Sequence, residues 1–93
     1  MGFYVLLYEL VEDYIARRGA FRDEHLKLAR ESNARGELLL GGAFADPPDK
    51  AMLVFRADDR SLPESFARHD PYVTYGLVKR WEVRAWTVVI GNQ

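Results

Sequence analysis

With 93 residues, the chain is sized for one small domain spanning 1–93 and is too short for two. Apolar residues make up 48% of it, too many for a disordered chain. It has no cysteine, which excludes a disulfide framework, a thiol nucleophile and a cysteine-based metal site.

Thirteen Lys and Arg face fourteen Asp and Glu, a net charge of -1 that argues against a nucleic-acid partner. The densest basic group, Arg17-Arg18 followed by Arg22, has acids on both sides and reads as a solvated helix face.

Residues 3–8 form a short aromatic and aliphatic run bounded by Gly2 and Glu9, which predicts a buried strand. The run has no basic start and is too short to span a bilayer. A cytoplasmic protein without a membrane partner is the expectation. Residues 11–35 turn helical, with an interruption near Gly19 and the better-defined part at 21–34. There Leu26, Ala29 and Asn33 share a face, with Lys27, Arg30 and Glu31 outside it. Gly36 fits the left-handed residue that ends a helix.

Residues 38–44 read as a second strand, in which Gly41-Gly42 suggests a bulge or a close approach to the backbone. The Pro- and Asp-rich segment 45–50 is a turn, and 51–56 a third strand. Ser61 and Glu64 have the spacing of a capping box for a second helix that runs to about Arg68. The last strand is expected over 81–90.

This β-α-β-β-α-β order predicts an α+β, ferredoxin-like fold: a four-stranded antiparallel sheet with both helices on one face. The strands do not alternate as a one-faced sheet requires. Phe3, Val5 and Leu7 point one way while Tyr4, Leu6 and Tyr8 point the other, and 81–90 repeats the pattern. Two helices cover one face, so the other calls for a partner, most simply a homodimer joined sheet to sheet.

No zinc, calcium, dinucleotide or phosphate-loop motif is present, and no metal or cofactor is called for. Histidine and carboxylate remain as chemistry. His25 lies on the first helix. An imidazole held by a carboxylate is a suitable general base, but His25 also reads as an ordinary half-buried histidine. Asp70 precedes Pro71, the pairing of a helix N-cap and first helical residue. A carboxylate has two oxygens, so capping and catalysis are compatible. His69 reads as an exposed residue at a helix end. Tyr72 and Tyr75 fit either a pocket wall or the core.

The segments RDEH (22–25), GELLLGGAF (36–44), DPYVTYGL (70–77) and WEVRAW (81–86) together resemble the YciI-like, or YCII-related, domain. The resemblance covers nearly the whole chain, in order. It implies a dimeric α/β barrel and an active site built on His25 and Asp70, with Arg22, Gly42 and Tyr72 in or near the same pocket. It also implies a cofactor-independent lyase, isomerase or hydrolase acting on a small cyclic or aromatic oxygenated compound. The alternative is a small-molecule-binding or assembly module without catalysis. Where the family often has proline after the glycine pair, this chain has Ala43-Phe44, so its pocket edge differs.

Overall fold

The computed structural model describes residues 1–91. Strand β1 (Gly2–Leu10) is followed by two helices, α1 (Tyr14–Arg18) and α2 (Arg22–Ala34). Strands β2 (Leu38–Ala43) and β3 (Lys50–Ala57) come next, then helices α3 (Ser61–His69) and α4 (Pro71–Thr74), and finally β4 (Val78–Trp86). The sheet is antiparallel with the order β2-β3-β1-β4, the ferredoxin-like topology.

The core lies between this sheet and the helices. Leu6, Tyr8 and Leu10 of β1 meet Leu53 and Phe55 of β3, Val83 of β4, and Phe66 and Ala67 of α3. On the other face, Val5 sits beside Val54, and Leu7 beside Met52. Leu40 and Trp86 lie on that same face and are exposed. Both faces of the sheet are therefore apolar, and the helices cover one.

Three local expectations change. The last strand starts earlier and ends sooner than its composition suggests. Trp86 pairs with Phe3, near the start of β1, so residues 87–90 lack a strand to pair with. The irregularity in β2 falls between Leu38 and Leu40, ahead of the glycine pair. Ser61 is the first residue of α3 rather than its cap. Asp59 accepts hydrogen bonds from the Ser61 amide, at 2.8 Å, and from its hydroxyl. Those bonds hold the Asp59 carboxyl below the usual carboxylate range. Asp reaches the amide two residues on as readily as Ser would, and its charge suits a helix start. Glu64 is then free to pair with Arg60, at 3.2 Å.

Helix α2 ends in a Schellman motif. The Gly36 amide bonds the Asn33 carbonyl and the Glu37 amide bonds that of Ser32. Gly36 has φ +79°, and a Cβ there meets nothing within 4 Å. Gly36→Ala should therefore lose about 1–2 kcal/mol of stability from backbone conformation alone. Gly42→Ala, at ordinary φ and also in open space, should lose less than about 0.5 kcal/mol. Urea denaturation of the two variants checks both values.

Candidate active site

Asp70 stands where the chain passes from α3 to α4. Pro71 cannot donate an amide hydrogen and turns the residue before it away from helical angles. Asp70 accordingly has extended backbone (φ -73°, ψ 121°), and its side chain caps α4 by accepting from the Tyr72 amide at 3.0 Å. The carboxylate is fully buried. Its Oδ1 also accepts from His25 Nδ1 at 2.8 Å, and its Oδ2 accepts from the Tyr8 hydroxyl at 2.7 Å. Three donors, from β1, α2 and α4, converge on one carboxylate.

A carboxylate only accepts, so Nδ1 carries the hydrogen and Nε2 is the nitrogen left for a ligand. The imidazole is fixed in a second direction by Tyr72, whose ring lies parallel to it at 3.9 Å and 8°. Tyr14 meets Tyr72 edge-on at 5.7 Å, and the Arg18 guanidinium lies over the Tyr14 ring. These side chains form one wall of a cleft of about 430 Å³ between α2 and the β1-β3-β2 part of the sheet. Arg22, Gly42, His25 and Tyr72 all line it, so Asp70, behind His25, joins the predicted residues into one site. Gly42 borders the cleft with backbone alone, since it pairs with Met52 and a side chain there would point to the opposite face of the sheet.

Burial pushes the Tyr8 phenol far above the ordinary tyrosine value, and the charge of Asp70 and the hydrogen bond to it add to the shift. Burial, then Tyr14, raises the Tyr72 phenol as well, opposed by the guanidinium groups of Arg22 and Arg18. The Tyr72 hydroxyl is buried and has no hydrogen-bond partner of ordinary geometry. His69 and Tyr75 lie elsewhere. His69 is exposed and bonds the Ser65 carbonyl of its own helix, while Tyr75 is exposed and stacks on Phe21 at 4.6 Å. Among the described residues, no three His, Asp or Glu side chains gather as a metal site requires.

Three contributors escape a reading of the sequence. Tyr8 looks like one more apolar strand residue, although a buried phenol needs an acceptor and that need was a usable signal. Arg18 reads as solvated surface and Arg30 as lying off the buried face, yet both line the cleft. Their long stems carry charge around the helix edge in a way that periodicity does not capture.

The sheet order and the helices on one face define a ferredoxin-like chain, and the likeness to solved structures is one of that fold. Residues 2–87 match the YCII-related domain, and the chain belongs to that family. Its fold is similar to that of 5-chloro-2-hydroxyhydroquinone dehydrochlorinase (TftG) from Burkholderia phenoliruptrix, solved in complex with 2,5-dihydroxybenzoquinone. The TM-score is 0.77 and the identity 17%, over 91% of this chain and 93% of that one. Protein Atu4242 from Agrobacterium tumefaciens is similar too, with a TM-score of 0.62 and 13% identity over 96% and 94% of the two chains. At such identities the likeness is one of fold. No curated protein matches the sequence.

Tyr8→Phe removes one donor from a buried carboxylate and should lower stability by about 1–3 kcal/mol at neutral pH. Tyr8 is held protonated in the fold, so its contribution is complete below the unfolded tyrosine value of about 10 and falls as pH rises beyond it. Stability measured by denaturant across that range should drop with pH, and drop less steeply in Tyr8→Phe.

Proposed function

We propose that the protein is an acid–base enzyme that moves a proton on a small cyclic or aromatic oxygenated substrate, with His25 as the base. The observation that carries this reading is the 2.8 Å contact from His25 Nδ1 to buried Asp70, at the wall of an open cleft. The fold of a dehydrochlorinase of a hydroxylated ring compound supports the substrate class.

In the proposed mechanism Nε2 takes a proton from the substrate, and Asp70 holds the ring in place and stabilises the imidazolium formed. Arg22 faces the oxygen on which negative charge develops. Return of the proton elsewhere gives an isomerisation; loss of a leaving group gives an elimination. A water activated by the same nitrogen gives hydrolysis. The three outcomes share the first residue and differ in the substrate.

The working unit in this proposal is a homodimer. Leu7, Leu40, Met52 and Trp86 give the sheet face away from the helices an apolar surface over buried Val5 and Val54, and a second copy covers it by symmetry. Glu82 and Arg84 flank it.

Two experiments test these statements. In deuterated buffer, exchange of ring hydrogens in hydroxyquinones and cyclic enols, read by proton NMR, should be accelerated by the protein. His25→Asn should lower that rate by at least about 100-fold with the circular dichroism spectrum unchanged. An unchanged rate removes His25 as the base. Analytical ultracentrifugation should give a dimer, and Leu7→Glu, next to Glu82 on that face, should give a folded monomer. A wild-type monomer at micromolar concentration rejects the assembly.

A further inference from the structure

Arginine placement in this chain is uneven. Arg17, Arg35, Arg60, Arg80 and Arg84 each lie within 4 Å of a carboxylate oxygen. Arg68 lies over the Trp81 ring, and Arg56, exposed on β3, has no carboxylate partner among the described residues and lies outside the cleft. Arg18, Arg22 and Arg30 have no carboxylate partner among the described residues, and all three line the cleft. No Asp or Glu lines it. The acids of α2, Asp23, Glu24 and Glu31, are exposed and outside the lining. A chain with net charge -1 thus places three arginines without a carboxylate partner, one of them over the Tyr14 ring, around one concavity that no acid lines.

Arg22 is also the first residue of α2, where the helix dipole favours an acid. Its local position is unfavourable, which a ligand anion would reverse. The Tyr72 hydroxyl supplies a second and independent sign. Tyr72 is 3% exposed and lines the cleft, and its hydroxyl has no acceptor of ordinary geometry. A buried donor without an acceptor is complete only when something entering the cleft accepts from it. The guanidinium of Arg22 acts on that same hydroxyl.

We infer that the substrate is a ring compound bearing a carboxylate. Its carboxylate accepts from Arg22 and the Tyr72 hydroxyl, and the positive charge of Arg18 and Arg30 selects for it. This inference rests on the proposed acid–base reading and adds a substrate charge to it, the oxygen that Arg22 faces in that reading being one of the carboxylate's. A planar guanidinium fork matches a carboxylate, and Leu26 and Leu53 offer the ring an apolar bed. The stack of His25 on Tyr72 puts base and anchor side by side, so the carboxylate fixes which carbon is presented to Nε2. Arg18 and Arg30 become specificity residues rather than surface charges.

Calorimetry and thermal shift with a panel of ring carboxylates, their neutral amides and phenyl phosphate test this. Carboxylates should bind and raise the melting temperature, and the amides should not. Arg22→Gln and Arg30→Gln should each weaken benzoate by about tenfold or more. Raising salt from about 0.05 M to about 0.5 M should weaken it in the same sense. Tyr72→Phe should weaken benzoate while leaving the ligand-free melting temperature unchanged or higher, because the lost hydroxyl had no acceptor. A fall there marks a structural role and overturns its assignment as anchor. Amides binding as well as carboxylates, an arginine variant binding benzoate unchanged, or no carboxylate binding at all overturns the inference. Tighter binding of phenyl phosphate overturns the choice of carboxylate. His25→Asn separates the two readings: benzoate affinity should stay within about twofold while exchange is lost. Exchange lost with anion selectivity intact supports both readings, and selectivity absent with exchange intact removes only this one.

Discussion

A buried carboxylate is expensive to desolvate and is stable only when its oxygens are satisfied. Asp70 satisfies them with donors from β1, α2 and α4. The site and the packing of the helices on the sheet therefore depend on the same few bonds. Tyr8 reaches up from the sheet, His25 comes down from α2, and the Tyr72 amide is supplied by the turn that Pro71 forces. The Asp-Pro break that ends α3 thus anchors the α2–sheet contact and aims an imidazole.

The cleft inherits its character from that arrangement. With Nδ1 occupied, one ring nitrogen is left for chemistry, and the Tyr72 ring removes the remaining freedom of the imidazole. Pre-organisation of this kind is what proton transfer at a fixed carbon requires. Of the glycine pair in β2, Gly41 is the one on the cleft side, beside Leu53. A Cβ at Gly41 would make ordinary contact with Leu53 at 3.4 Å, whereas one at Gly42 would meet open space on the other face.

Topology was legible in the sequence because hydrophobic period and turn chemistry agreed at each step. The short run at 3–8, the left-handed glycine at 36 and the Asp-Pro break each encode their element locally. The apolar character of both faces of the first strand was equally readable. Strand ends were not, because the end of β4 is set by where β1 begins and no residue of β4 records that. Ser61 has the chemistry of a cap for α3, but it is the first helical residue, and Asp59, just ahead of the helix, accepts from its amide. For the site, motif resemblance brought His25 and Asp70 together, and local periodicity had no means to do so across 45 positions. Tyr8 and the cleft arginines stayed hidden because their roles depend on the reach of a side chain across elements.

Arg17 gives the site one further property. It donates to the carbonyl oxygens of Tyr75 and Gly76, just past the end of α4, while Phe21 stacks on Tyr75. These contacts clamp the segment bearing Arg18 to the segment bearing Tyr72, although more than fifty positions separate them in the chain. A cation that closes the end of a helix resembles a cap, but here it also works as a rivet between two segments of one cleft wall. The spacing between guanidinium and phenol is then a property of the folded chain, present before any ligand arrives. Recognition that starts from a fixed spacing spends less entropy on ordering its own parts.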